Sequence, residues 1–492
     1  MTSETFESGS AAPEMAPVVD KATAARNSLV INVLLVSTFV VMLNETAMSV
    51  AIPHLMAALA VDANAAQWLT TAFLLTMAVV IPITGFLLQR FNTRPIFLLA
   101  MTLFATGTAI AAMSPNIWVL VFARVVQASG TAIMMPLLMT TVMTLVAPHE
   151  RGKMMGNISI VMSVAPAVGP VLAGFILATF DWRMFFVIMI PIALGGLALG
   201  YRLMVNVTTP REAPLDILSV VLSAIAFGGI VYGLSGFGLE TAAQPFSPFI
   251  PLVVGVATMV VFVWRQLVLA RDGKALLDLS TLKQRNFTIS LAMISILMLA
   301  MFGTIILLPI YLATVIGFET WQIGLLMMPG SLMMGLLGPF VGRLFDKVGP
   351  RPLIIPAMAL VCAVLGAMTL LGVGTPWQYI LVGHLVMSLG FAFLFGPLFT
   401  TSLSSVPPQL YSHGSALLGS VQQVAGAAGV ALFVALMSAQ SAALATSGSV
   451  PVEALAGGIR LAFMVGAVIA IFAFIAALFV QRPAPQEGGW GH

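Results

Sequence analysis

Residues 85–94 read GFLLQRFNTR, and residues 342–351 read GRLFDKVGPR. Each segment follows a long apolar run, opens on glycine, carries a polar or acidic residue four places on, and closes on a base. The two are offset by 257 residues, 85 against 342, and other matches keep that spacing closely: Gly130 with Gly390 and Pro148 with Pro408 are each 260 apart. A loop repeated at one topological point implies two halves of like construction, about 28–206 and 287–481, flanking an insert, 207–286, that has no counterpart. Two halves that rock about a shared central site are what alternating access requires.

Composition says what surrounds those halves. Hydrophobic residues make up 60% of the 492, and only 37 residues are charged, 20 basic and 17 acidic. A soluble chain would carry about a quarter charged residues, so this one is an integral membrane protein. At about 20 residues per crossing the apolar runs predict helices at roughly 28–53, 66–88, 96–113, 117–145, 154–179, 184–205, 216–238, 248–268, 287–313, 321–342, 353–373, 377–402, 414–438 and 459–480. The expected fold is therefore all-α, with fourteen transmembrane helices arranged as two pseudo-symmetric six-helix bundles plus two inserted helices.

Several function classes are excluded. The single cysteine, Cys362, permits neither an internal disulfide nor a CxxC site, and no His/Cys cluster offers a metal centre. No GxxxxGK[ST] loop is present, so nothing in the chain looks able to hydrolyse ATP, and no cofactor is expected. The net charge is +3, but the bases are scattered in ones and twos, which argues against nucleic acid as a partner.

The positions of those bases set the orientation. With the N-terminus inside, 17 of the 20 bases fall on inner loops or inner helix ends, leaving only Arg124, Arg183 and Arg460. Residues 1–27 are expected to be a disordered cytoplasmic tail and 482–492 a second one, in a protein of the plasma (inner) membrane. A monomer is expected.

At this point the chain resembles the major facilitator superfamily, and within it the fourteen-helix drug:proton antiporters. The loop at Gly342, Asp346, Lys347 and Arg351 is similar to the superfamily's G-x-x-x-D-[RK]-x-G-[RK]-[RK] pattern, with Pro350 in one basic slot. Its copy at Gly85, Arg90 and Arg94 departs where Gln89 replaces the acid and Asn92 the glycine. The resemblance implies that these loops gate one face, the acid acting as a latch at Asp346 more than in the first half. The fifth helix, Gly156-x8-Ala165-x3-Gly169-Pro170-x2-Ala173-Gly174 with Pro166 inside it, is similar to the antiporter signature, two of whose glycines are alanine here. Asn44-Glu45 in the first helix, Asp181-Trp182-Arg183 and Leu215-Asp216 fit the same branch, and the Asn-Glu pair resembles the lincomycin-resistance type of exporter.

Ionisable groups in hydrocarbon are costly, so each one retained is a functional candidate. Glu45 is the only acid well inside a span, and Arg124 the only base clearly inside. At 1.5 Å per residue Glu45 lies about 25 Å from the inner end of its helix and Arg124 about 10 Å from the outer end of its own, so the two share a level in the outer half. In the superfamily fold their helices face each other. Glu45 is then expected to carry the coupling proton and Arg124 to tune it, with Gln127 alongside. The plainer readings are an acid that ties helices together and an arginine that snorkels to the headgroups. Repeat symmetry pairs Arg124 with His384, a second titratable candidate or else a packing residue, and pairs Glu45 with Thr304, which cannot titrate.

The cavity between the halves is expected to be rich in Met, Phe and Tyr, including Tyr311, with few polar groups beyond Asn44, Gln127, Gln422 and Gln423. Such walls suit lipophilic or amphipathic solutes better than sugars. Drug export in exchange for protons is the expected function. Export of a dedicated metabolite or lipid, and proton-coupled import, remain as alternatives. A membrane enzyme is disfavoured because the lone acid has no partner at catalytic spacing.

Overall fold

A computed structural model describes residues 21–61, 63–207, 210, 216–236 and 247–482. Fourteen helices in it are long and apolar enough to cross a membrane. They are α1 (Lys21–Leu59), α2 (Ala63–Arg90), α3 (Thr93–Ala112), α4 (Ile117–Leu145), α5 (Arg151–Thr179), α6 (Arg183–Leu203), α7 (Ile217–Gly236), α8 (Phe249–Leu269), α9 (Arg285–Tyr311), α10 (Thr320–Val348), α11 (Arg351–Met368), α12 (Trp377–Ser404), α13 (Tyr411–Thr446) and α14 (Pro451–Ala477). No water competes for backbone groups inside a bilayer, so each apolar run closes its hydrogen bonds within itself as a helix. The protein is a multi-pass, all-α membrane protein, as its hydropathy predicts.

Helix ends differ from the hydropathy limits. Helix α1 begins at Lys21, so residues 21–27, expected in the tail, are helical, while residues 1–20 and 483–492 of the expected tails lie outside the described residues. Helix α13 runs eight residues past its predicted end, and α11 stops five residues short of its own. Hydropathy marks where hydrocarbon is, whereas a helix continues into water until a breaker stops it. Gly372, Gly374 and Pro376 supply that stop after α11, and α13 ends before Gly448, which takes a positive φ of 91°.

The repeat is visible in the packing. Helix α1 packs on α4, α5 and α6, and α9 packs on α12, α13 and α14; α3 lies on α4 and α6, and α11 lies on α12 and α14. Gly130 lets α4 approach Ala100 and Phe104 of α3 so closely that a Cβ would collide with them. Gly390 does the same for α12 against Val361 and Ala357, the residues 257 further on. Short turns, Pro148–Glu150 and Pro408–Leu410, precede α5 and α13 at matching places.

The halves join through α5 on α10 and α2 on α13, each pair being the repeat image of the other. Gly152 and Gly156 on α5 meet Gly342 and Gly338 on α10, backbone against backbone, with no room for a Cβ at any of the four. These are two GxxxG faces crossed on each other, a small-residue device for close helix approach in membranes. Across the other seam Gly85 faces Ala416 and Gly419 faces Ile81, where a Cβ would be tight against a side chain but would meet no backbone as closely as on the first seam. All these contacts lie toward the face that carries the two repeated loops, hereafter the basic face.

The inserted helices ride on the α2–α13 seam. Helix α7 packs on both α2 and α13, and Trp68 stacks on Tyr232 with ring centroids 5.9 Å apart. Arg265 of α8 donates to both oxygens of Asp216, at 2.8 and 2.9 Å, and Ser219 donates to the same carboxylate. Gln266 then links Ser219 to the Leu277 backbone at 2.8 and 3.1 Å. The hydrogen bond from Arg265 is the main reason that the Asp216 carboxyl titrates below its ordinary 3.8, at about 2. A depressed value means that this stabilisation is complete above about pH 4 and disappears as the pH falls through 2. Asp216→Ala should therefore cost on the order of 1–3 kcal/mol, seen as a lower thermal midpoint for purified protein. The gap from the parent should be constant between pH 8 and 5 and close in strong acid.

Candidate coupling site

Arg124 is 1% exposed, so its charge sits where neither water nor headgroups can solvate it, and the snorkelling reading does not describe it. Three helices supply the replacement. Its Nη1 donates to Asn44 Oδ1 of α1 at 3.2 Å and to Gln127 Oε1 of its own helix at 3.0 Å, and its Nε points at the Leu69 carbonyl of α2 at 3.5 Å. The guanidinium carbon stands 4.1 Å from the centroid of the Phe73 ring, a desolvated cation–π contact. Gln127 is held in turn: its Nε2 donates to Thr108 Oγ1 at 2.9 Å, and Thr108 donates to the Phe104 carbonyl at 2.7 Å. Gly107 makes the room, since a Cβ there would collide with Gln127.

Glu45 is one residue beyond Asn44 and is coupled electrostatically to Arg124, yet no ion pair within 4.0 Å joins them. Its Oε2 is buried and has no hydrogen-bond partner. Thus Asn44, not Glu45, holds the guanidinium, and the acid stands beside an already satisfied base. Behind this turn of α1 lies the α5 signature. Gly169 touches Thr46, Leu43 and Ala47 closely enough to exclude a Cβ, and the Thr46 hydroxyl lies 3.4 Å from the Ala165 carbonyl. Gly156, at the other end of the signature, lies on Gly338 of α10. Pro166 is half-buried, Gly174 has open space about it, and the Pro170 side chain lies outside the described residues.

The second half is built differently. His384 is 7% exposed and its Nε2 lies 3.0 Å from the Met327 carbonyl of α10, mirroring Arg124 and Leu69. Gly330 occupies the place of Phe73 and leaves room for the imidazole. Tyr311 is fully buried and its hydroxyl donates to the Gly372 carbonyl at 2.6 Å, so it pins α9 to the turn after α11 and lines no cavity. Gln422 and Gln423 are half-buried on α13, Gln422 bonding back to Leu418 at 3.1 Å. These four are not brought together with the Glu45–Arg124 group.

The repeated loops act at the basic face. Asp346 accepts the first N–H groups of α5, from Gly152 and Lys153, both at 2.8 Å. A carboxylate at a helix N-terminus meets the positive end of the backbone dipoles. Gln89, in the matching position, only donates to the Gln409 carbonyl at 3.4 Å. Arg94 and Arg351 cap the far ends of α6 and α14: Arg94 donates to Tyr201 O at 2.6 Å, and Arg351 to Val480 O at 2.7 Å. Arg90 and Lys347 are exposed. Sequence reading missed Thr108, Phe73 and the crossed GxxxG faces; only the last had a visible signal, Gly152-x3-Gly156 and Gly338-x3-Gly342.

Comparison with known proteins agrees with this architecture. The family model described as Major Facilitator Superfamily matches residues 34–430. A Bacillus subtilis protein named uncharacterized MFS-type transporter YcnB is 38% identical over 463 residues, 94% of this chain and 97% of its own length. The lincomycin resistance protein LmrB of Listeria monocytogenes is 37% identical over 453 residues, 91% of this chain and 95% of its own. The crystal structure of the human organic anion transporter MFSD10 (TETRAN) has the same fold, with TM-score 0.62 at 16% identity over 92% of this chain and 99% of that one.

Arg124→Ala strips donors from buried Asn44 and Gln127 and empties a large volume, and should destabilise the protein by on the order of 3 kcal/mol. Thermal unfolding in detergent measures this. Arg124→Lys should recover only part, because one ammonium cannot satisfy two side chains and a carbonyl in the guanidinium's fork.

Proposed function

The chain belongs to the Major Facilitator Superfamily of membrane transporters, and on that premise we propose that it exports lipophilic or amphipathic small molecules in exchange for protons, with Glu45 as the proton carrier. The observation that carries the reading is the Glu45 carboxyl: half-buried, with Oε2 sealed and unpartnered, beside a guanidinium whose hydrogen bonds go elsewhere. An acid that tied helices together would spend its oxygens on partners; this one leaves them for a proton. A closed, dry surrounding favours the neutral acid, while water admitted by opening, together with the nearby Arg124 charge, favours the carboxylate. One group thus has two states selected by conformation.

The cycle follows from this. The face to which the sequence assigns 17 of the 20 bases is cytoplasmic by the positive-inside rule, which puts both termini in the cytoplasm of a cell whose plasma membrane holds the protein. The contacts joining the halves lie toward that face, which describes a conformer closed to the cytoplasm. From outside, a proton binds Glu45 as the exported molecule leaves. The neutral acid then allows the halves to rock, the cytoplasmic side opens, and the proton departs as the next molecule enters. Small residues of α5 against α1 couple the Glu45 turn to the helix that forms the α10 seam. Similarity to lincomycin resistance proteins supports a drug-like cargo, and a single chain with both halves supports a monomer as the working unit.

The test is exchange. In inverted vesicles, accumulation of a labelled lipophilic cation or neutral drug should rise with an imposed pH gradient and collapse with an uncoupler. In proteoliposomes carrying Glu45→Gln, drug-driven proton movement should fall to the protein-free level while drug binding persists. Undiminished coupled exchange in that variant would remove Glu45 from the mechanism.

A further inference from the structure

The stretch that opens α5 makes a second cross-gate contact, distinct from the Asp346 latch. Arg151 is 6% exposed, a buried cation at the basic face with no acid among the described residues within 4.0 Å. Its Nη2 donates to the Met143 carbonyl at 2.9 Å and its Nε to Val146 O at 3.3 Å, so it caps the C-terminal end of α4. The guanidinium carbon lies 5.5 Å from the centroid of the Tyr411 ring, and Tyr411, the first residue of α13 in the other half, is 3% exposed. Arg151 and Tyr411 are repeat mates, 260 residues apart, and they meet across the pseudo-twofold axis. One turn further along α13, Ser415 shares a 2.8 Å hydrogen bond with Thr140 of α4.

We infer that the Arg151–Tyr411 pair is a latch that holds the basic face closed, set between the α4–α5 junction and α13, beside the α2–α13 seam that lacks the acidic latch. This rests on the alternating-access reading above. On the α5–α10 seam a carboxylate on a helix N-terminus and four glycines make the closure; on the α2–α13 seam Gln89 offers one long neutral bond, and the contacts are looser. The ring supplies there what an anion supplies on the other side. Its face attracts the cation in a site shut off from water, where such a contact is at its strongest. When the halves part at this face the ring leaves with α13 while Arg151 remains on the α4 carbonyls and meets water. The contact therefore exists only in the closed form, and its removal shifts the population toward the open one.

Labelling measures that population without drug or proton gradient, so it stands or falls separately from the exchange experiment. In a Cys362→Ser background, Ser415→Cys places a single thiol behind the gate, and a membrane-impermeant maleimide is applied to the protein in lipid nanodiscs. Tyr411→Leu should raise the labelling rate about fivefold or more, the range for losing a desolvated cation–π contact. Tyr411→Phe should label at the background rate, because the ring alone is needed. Arg151→Gln should speed labelling as Tyr411→Leu does, and the double variant should be no faster than either single one. The labelling rate of the same protein unfolded in sodium dodecyl sulfate separates gate opening from loss of fold. Background-rate labelling in a folded Tyr411→Leu protein, a Phe variant as fast as the Leu variant, or full additivity in the double variant would each overturn the latch.

Discussion

Hydrocarbon solvates nothing polar, and that constraint arranges the whole protein. It forces the backbone into self-bonded helices, keeps most bases out of the apolar spans, and leaves a very small set of charges inside. Those few must be solvated by protein or kept neutral. Arg124 is solvated: a carboxamide from α1, a second from α4, a carbonyl from α2 and an aromatic face replace its water. That network also fixes α1, α2 and α4 in register. Glu45 receives no such shell, and the contrast between neighbouring residues is what makes it chemically available.

The same constraint shapes the contact between the halves. Helices surrounded by lipid gain nothing from burying apolar surface against each other, so close approach must come from small residues and from the few polar groups. On the α5–α10 seam both are present, the crossed glycine faces and the Asp346 carboxylate on the α5 N-terminus. A seam of backbone contacts and one charge-assisted cap can separate and re-form, as a rocking bundle needs.

Much of this was legible beforehand, for definite reasons. Helix number follows from hydropathy, a signal summed over many residues. The repeat was visible because loops need particular residues, such as Gly342 and Gly85, at fixed offsets. The Glu45–Arg124 neighbourhood was legible because a charge inside a span stands out. What was hidden depended on rotation about helix axes. Nothing in the sequence says that Asn44 faces the guanidinium while Glu45 faces away from direct contact. Nor does it say that Tyr311 turns toward the Gly372 carbonyl, or that Phe73 stacks on Arg124. An apolar ring looks the same in a sequence whether it meets lipid or a cation.

The repeat mates at this level of the membrane differ in charge. Arg124 becomes His384, Phe73 becomes Gly330, and Glu45 becomes Thr304, whose hydroxyl donates to the Ala300 carbonyl of its own helix at 2.8 Å. The scaffold contact survives the change, since His384 reaches the α10 carbonyl of Met327 as Arg124 reaches the α2 carbonyl of Leu69. The charge does not survive. Duplicated architecture therefore fixes where a polar group must sit to join the helices, and divergence decides whether that group is ionised. With a carboxylate and guanidinium in one half and a threonine and imidazole in the other, proton-linked chemistry in the proposed cycle belongs to the first half. The second half is free to move against it as a more nearly neutral body. At the basic face the asymmetry runs the other way, for there the second half contributes the acid, Asp346, and the first contributes the neutral Gln89. Each half thus supplies a charged device that the other lacks, so in the proposed cycle the two halves are not interchangeable.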